Sequence, residues 1–513
     1  MEGLAAFGAA LLALATPTAL FHVAWSTLLG IVVGSLPGLT ATMGVALLTT
    51  LTYQLDADTA ILVLICLYVG AIYGGSRSAI LLNIPGTPAS AATALDGYPL
   101  ARAGRAGEAM AIATTGSALG TLVGIVLLVM LAPPLADAAL GFGSFEYFWL
   151  AVFGIVISGR LTGGASPLKG YIAGVLGLMV AMVGADGIHA HVRFEMGIDG
   201  MSGGIGLIPA MVGAFGFAEV LTVMFRPRAA LDHQGDARQR VLPRFAVVFA
   251  NRVNVLRSGV IGTLVGIIPG VGEDIGAWAS YAAARRASKR PQEYGQGSIE
   301  GLTAAETGNS AVVPGALIPA LTLAVPGSAP AAVLIAALYI HGIRPGPMIM
   351  IEQPDFIYSV AAMLVFATLA ILVFGLSLTR AFVQILRVPR ETLMPIVFVL
   401  CVIGPYALTQ RTFDIAVMVA FGLIGFALRR MDYPMAPLVL GIILGDLLDK
   451  SLRRGLTLSD GSLEPFFTRP VSLLFALLTL AAVLASVPAV RRLGARLTQR
   501  LVRRGSPPAG GDA

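Results

Sequence analysis

The chain has 513 residues, 56% of them hydrophobic and 12% charged, with a mean hydropathy of +0.84. Apolar stretches of about 20 residues recur along it, so it reads as an integral membrane protein and not as a soluble enzyme or binding module. The net charge of +6 is carried mostly by arginines at the ends of apolar runs, a placement that orientation in a bilayer explains better than contact with nucleic acid does.

The first apolar run, residues 4–15, is short for a crossing. The N-terminus MEGLAAFG lacks the basic start of a cleaved signal, so this segment is expected to be retained. Residues 20–55 read as two half-helices on either side of Pro37-Gly38 and end in the acidic turn QLDAD. Residues 59–75 can span, whereas 78–95, broken at Pro85-Gly86, read as a re-entrant hairpin followed by Arg102 and Arg105. Further spans are expected at 108–131, 145–159, 168–183 and 205–225. The loop before the last carries Asp186, Glu195 and Asp199 against one arginine and is placed outside, with His189 and His191 in it too exposed for a catalytic pair. The next loop, 226–257, holds seven arginines and is placed in the cytoplasm.

The second half opens with 255–284, broken at Pro269-Gly270 and ending in RRASKR, where its counterpart in the first half ended in acidic residues. Residues 299–313, a broken segment 314–341, and spans at 357–385, 393–408, 413–428 and 471–487 follow. Residues 438–448 either cross or re-enter. Arg387, Arg390, Arg429 and Arg430 mark cytoplasmic ends, and the tail is a basic amphipathic piece on the membrane surface followed by disorder. The fold expected is thus all-α and polytopic, with about 11–12 transmembrane helices plus re-entrant Pro-Gly-broken hairpins. Its units are 1–225, a cytoplasmic basic linker 226–254, 255–490, and a tail 491–513. Cys66 and Cys401 sit in apolar segments and read as packing residues.

At an offset of 232, Gly30, Val33, Gly34, Pro37, Gly38 and Gly44 recur as Gly262, Val265, Gly266, Pro269, Gly270 and Gly276. At an offset of 241, Pro85, Gly86 and Thr87 recur as Pro326, Gly327 and Ser328. Two motifs repeated in the same order indicate a duplicated chain, and the opposite charge after equivalent breaks indicates inverted-topology repeats. Close helix packing through small residues explains glycine-rich segments in general, but accounts poorly for paired Pro-Gly breaks.

Breaks of this kind are tolerated at membrane depth where they line a wet cavity. There the half-helix N-termini aim N–H groups at an anion and unwound carbonyls hold a cation. The candidate solute-binding residues are Pro37, Gly38, Thr40, Thr42, Asn83, Pro85, Gly86, Thr87, Ser90, Pro269, Gly270, Gly272, Asn309, Pro326, Gly327 and Ser328. A sodium position falls near Gly38, Thr40 and Gly270. For each hydroxyl, satisfying local backbone beside the break is an equal alternative. Glu273 and Asp274 are the candidate ion-coupling carboxylates, with helix N-capping as the other reading. Glu306 sits in apolar surroundings near the breaks, and Arg77 is placed at the cytoplasmic face with its head in water. The chain has no Gly-Lys dipeptide, no G-x-S-x-G and no H-E-x-x-H, so it is not expected to be an enzyme.

The phrases LPGLTATMGVALL, YVGAIYGGSRSAILLNIPGTPASAATALDGYPLARAG, IIPGVGEDIGAWASY, SIEGLTAAETGNSAVVPGALIPALTLAVPGSAPAAVL and YPMAPLVLGIILGDLLDKSLRRGL resemble the large membrane subunit of the tripartite tricarboxylate transporters, the TctA type. The resemblance runs from about residue 28 to 470. It implies a bacterial inner-membrane secondary transporter without a resident cofactor, driven by a Na+ or H+ gradient. A periplasmic solute-binding protein (TctC type) would deliver an organic carboxylate, and a small membrane subunit (TctB type) would complete the translocator. The family's Pro-Gly motifs fall on Pro37-Gly38, Pro85-Gly86, Pro269-Gly270 and Pro326-Gly327. Two departures bear on the substrate: Thr40-Ala41 stands where many members have Gly-Pro, and Arg77 where they have an uncharged residue. The alternatives are a stand-alone carrier of another organic anion and, from a different class, a solute-binding membrane scaffold or sensor.

Overall fold

The computed structural model describes residues 2–36, 38–162, 166–188, 190–225, 245–378 and 390–487. Pro37, His189, Arg387, most of the 226–254 linker and the 491–513 tail lie outside the described residues. The helices before the linker are α1 (Glu2–Ala13), α2 (Pro17–Ser35), α3 (Ala41–Leu51), α4 (Ala57–Leu82), α5 (Ser90–Leu100), α6 (Ala106–Leu140), α7 (Ser144–Thr162), α8 (Pro167–Ala181), α9 (Leu207–Met211) and α10 (Ala218–Phe225). After it come α11 (Phe245–Ala250), α12 (Arg252–Ile267), α13 (Gly272–Ala287), α14 (Ile299–Leu323), α15 (Ala329–Ile340), α16 (Ile349–Glu352) and α17 (Phe356–Ser377). The last are α18 (Arg390–Thr409), α19 (Thr412–Arg430), α20 (Met435–Leu458), α21 (Pro465–Thr468) and α22 (Pro470–Leu484).

Among the described residues, eight stretches are long and apolar enough to cross a membrane: α2, α4, the continuous run of α5 and α6, α7, the run from α9 through α10, α17, most of α18, and α19. Three shorter apolar helices, α8, α15 and α22, accompany them. Helix starts follow capping chemistry. Thr16 accepts from Ala19 N–H at 3.3 Å with Pro17 in the first turn, and Ser298 accepts from Gly301 N–H at 3.1 Å. Asp56 accepts from Thr59 N–H at 2.9 Å, and that bond holds its carboxyl below the usual carboxylate range.

The duplication is visible in the packing. α2 lies on α4 as α12 lies on α14, and glycines set both approaches. A Cβ on Gly34 would strike the Ala71 carbonyl, and one on Gly266 the equivalent Val312 carbonyl; Gly74 and Gly315 meet the carbonyls of Ile31 and Thr263 in the same way. α4 and α14 both end on a left-handed residue, Asn83 (φ 54°, ψ 27°) and Ala324 (φ 55°, ψ 27°), which are 241 positions apart. The cap N–H bonds are equivalent too, Asn83 to Ser78 O and Ala324 to Pro319 O.

Beyond this paired core, α20 packs on α7 and α8, and α22 on α7, while α19 packs on α18 and on the π-helical turn Val212–Phe217 that joins α9 to α10. Gly184–Ala185 and Val192–Arg193 form a short antiparallel ribbon in the acidic loop. Arg411 donates to Gly200 O at 2.6 Å, and Asp186 pairs with Arg453 at 3.4 Å. These bonds put the start of α19 and the far end of α20 at the acidic loop.

Two expectations, the extent of the second break and the place of Arg77, are corrected, and two others gain detail. The segment after Pro85-Gly86 packs back on the end of α4, with Gly97 against Ile80, and α5 then continues into α6 through the π-helical turn Ala101–Arg105, where Gly104 (φ 76°) supplies the kink. Pro314 and Pro319 lie within α14, so the second break is confined to 324–328. Residues 438–448, for which crossing and re-entry stood as alternatives, are the middle of one continuous helix, α20. Arg77 is 1% exposed and does not reach water: its Nη2 donates to Tyr73 Oη at 2.7 Å and to the Gly375 carbonyl, with the guanidinium 5.2 Å from the Tyr73 ring centre. α4 is the most enclosed span, 94% buried over its apolar window, so Arg77 is solvated by protein instead of snorkelling.

Candidate functional site

Two adjoining cavities open where the half-helices meet. One, of about 560 Å³, is lined by Gly38, Thr40, Pro85, Gly86, Thr87, Glu219, Thr222, Phe225, Phe426, Arg429 and Arg430 among others. The other, of about 450 Å³, is lined by Thr40, Thr42, Ile72, Thr87, Phe215, Gly270, Gly272, Glu273, Asp274, Pro330 and Arg429 among others. Thr40, Thr87, Pro88 and Arg429 border both. Both halves of the chain therefore contribute, and α3, α13 and α15 all start at the second cavity with their N–H ends toward it.

The local chemistry explains these starts. Thr40 caps α3, accepting from Met43 N–H at 3.2 Å, and Ser328 caps α15, accepting from Ala331 N–H at 3.3 Å. Thr87 and Ser90 form a small turn in which Thr87 N–H donates to Ser90 Oγ at 3.1 Å and Ser90 Oγ donates to Thr87 O at 2.7 Å. Gly270 (φ 67°) and Gly272 (φ 66°) hold left-handed backbone at the start of α13. Their N–H groups donate to Pro326 O and Gly327 O, each at 3.1 Å, which joins the two breaks of the second half. Gly86 N–H donates to Gly75 O at 3.3 Å.

Glu273 is 6% exposed and accepts from the Tyr68 hydroxyl, which also meets Ser328 Oγ at 2.7 Å. α13 carries no side-chain cap, so the N-capping reading of Glu273 and Asp274 is set aside. Asp274 faces the second cavity beside it.

Of the candidates, Gly38, Thr40, Thr42, Pro85, Gly86, Thr87, Gly270, Gly272, Glu273 and Asp274 line the cavities. Ser90, Pro269, Pro326, Gly327 and Ser328 stand behind these residues as supports and are not among the cavity linings. Asn83 is exposed at its left-handed cap, outside the apolar surroundings expected for it. Asn309 is fully buried in α14, off both linings, and neither amide atom has a hydrogen-bond partner among the described residues. Glu306 is held away from the cavities by hydroxyls, from Thr93 and from Ser117 at 2.8 Å. Sequence reading missed Tyr68, Glu219 and Arg429. Glu219 carried a usable signal, an acid inside an apolar run. Arg429 did not, because a terminal arginine is what orientation alone requires.

Taken together, the fold and the site define a polytopic helical membrane protein with a solute-sized space between the broken helices of two repeats. The sequence matches the tripartite tricarboxylate transporter TctA family over residues 20–440, and the chain belongs to that family. It is similar to an uncharacterized 52.8 kDa protein in the TAR-I ttuC' 3' region of Agrobacterium vitis, 37% identical over 472 residues, covering 90% of this chain and 92% of that one. A second protein, in the TAR-II ttuC' 3' region of the same organism, is 33% identical over 231 residues, covering 45% of this chain and 96% of that one. No solved structure matches.

Proposed function

We propose that this chain is the large translocating subunit of a secondary, cation-coupled carboxylate uptake system in a bacterial inner membrane. It would work with a periplasmic solute-binding protein and a small membrane subunit. The observation that carries the reading is the convergence of break residues from both halves on two adjoining cavities, in a chain of this family. Helix N-termini there suit a carboxylate, and Thr40, Thr42 and Thr87 add hydroxyl donors. Glu273 and Asp274 are the coupling carboxylates, and a sodium position beside Gly38, Thr40 and Gly270 is the alternative to a proton. The remaining break residues and Asn309 support that site.

The repeats are inverted, and the solute crosses as one bundle moves against the other. The first cavity is rimmed by Phe225 and Arg430, at the ends of α10 and α19 remote from the acidic loop. With that loop outside by the distribution of arginines, this conformation opens inward.

The test is uptake of labelled di- and tricarboxylates by cells with and without the chain, its partners present, in sodium and in sodium-free buffer at several pH values. Loss of one substrate on deletion, dependent on sodium or on the proton gradient, is expected. Unchanged uptake of every carboxylate would overturn the reading in favour of another anion or a sensor.

A further inference from the structure

Arg429 stands near the C-terminal end of α19. Its Nη1 donates to Glu219 Oε2 at 2.7 Å and its Nη2 to Ala214 O at 3.3 Å, with the guanidinium 5.8 Å from the Phe215 ring centre. The pair is largely enclosed, with side chains 23% and 9% exposed. Arg429 borders both cavities, and Glu219 borders the first. Among the residues lining the second cavity, the other charged groups are Glu273 and Asp274, both acidic. A carboxylate solute there meets like charge, which is expensive away from bulk water. Arg429 is the counter-charge on that lining, and a guanidinium fork matches a carboxylate through two parallel N–H bonds.

Glu219 presents to Arg429 the same chemical group that such a solute would present. We propose that Arg429 is the carboxylate-recognition residue of the cavity and that Glu219 is its internal stand-in, holding the guanidinium until a solute carboxylate displaces it. The assignment rests on the carboxylate-transport reading above. Exchanging one carboxylate for another at the same arginine changes little free energy, so capture stays reversible, as a carrier needs. The pair also ties α19 to α10 beside the inward rim, so displacement loosens that contact when solute is aboard.

The experiment measures uptake of labelled succinate and citrate by cells carrying the full chain with its partners. The variants are Arg429→Gln, Arg429→Lys, Glu219→Gln and the exchange Arg429→Glu with Glu219→Arg, with membrane levels and melting temperature followed for each. Arg429→Gln is expected to raise KM roughly thirtyfold or more, and Arg429→Lys to recover only part of this because an ammonium lacks the fork. Glu219→Gln is expected to lower KM by about threefold, since the internal competitor is gone. The exchange variant restores the ion pair, and its melting temperature should recover while uptake stays lost.

Recovery of uptake in the exchange variant, or an unchanged KM for Arg429→Gln or Arg429→Lys at normal membrane level, would show a structural bridge and overturn the assignment. Where the wild-type chain carries another carboxylate of the panel instead, the same variants are measured on that one; a wild-type chain that takes up no carboxylate removes the carboxylate reading itself, and the assignment falls with it.

Discussion

In the second half of the chain, Gly270 and Gly272 donate to Pro326 and Gly327, so one break is bonded to the other. In the first half, among the described residues, no such bond joins Gly38 or Thr40 to Pro85 or Gly86, and all four line the first cavity instead. One motif is thus held closed in one copy and open in the other. The backbone devices have survived duplication: the left-handed caps at Asn83 and Ala324, and the collisions a Cβ on Gly86 or Gly327 would make with the carbonyls of Gly34 or Gly266. The polar groups have not. Tyr68, Ala41 and Thr87 of the first half correspond to Asn309, Glu273 and Ser328 of the second, so only one diagonal of the site can build the Tyr68–Glu273–Ser328 cluster.

The largest test of this comparison is Gly86→Val against Gly327→Val. Each drives a branched side chain into the backbone of α2 or α12, and each is expected to cost about 3 kcal/mol or more and to abolish uptake while the protein still inserts. Equal losses of melting temperature would confirm that the halves are packed alike; tolerance of one alone would break the equivalence. Next, Tyr68→Phe removes the hydroxyl from the Glu273 carboxylate and is expected to destabilise by about 2 kcal/mol, whereas Asn309→Leu removes a buried amide without partners and should be neutral or stabilising by up to about 2 kcal/mol. If Asn309→Leu melts higher yet loses uptake, the diagonal of Asn309, Ala41 and Thr87 is the solute-facing one. The smallest effects come from the caps: Thr40→Ala and Ser328→Ala should each cost about 1 kcal/mol in a melting assay, Ser328 slightly more because Tyr68 also bonds it.

Much of this was legible in the sequence because proline and glycine act locally. Pro269-Gly270 and Pro326-Gly327 announced breaks wherever they fell, and the offsets of 232 and 241 paired them before any fold was known. The convergence of Thr40, Thr87, Gly270 and Asp274 followed from that pairing. The Tyr68–Glu273 and Arg429–Glu219 contacts were not legible, since they join residues 205 and 210 positions apart on helices whose faces carry no periodic mark. Arg77 was misjudged for a related reason. Snorkelling assumes lipid around a helix, and only tertiary packing shows that α4 has protein on nearly every side.

That enclosure has a consequence for biogenesis. A lone helix bearing an arginine near its C-terminal end meets an insertion penalty of up to ~3 kcal/mol as it leaves the translocon, reduced when the charge lies close to the interface. The carbonyl that receives Arg77, at Gly375, is synthesised 298 residues later, and Thr114, which meets Tyr73 Oη at 2.6 Å, also follows it. When it emerges, α4 has mainly α2 and α3 before it to lean on, and α5, α6, α14, α15 and α17 all follow. The central helix is therefore among the first made and the last completed, and the window between those events is where a quality-control protease would find this protein most vulnerable.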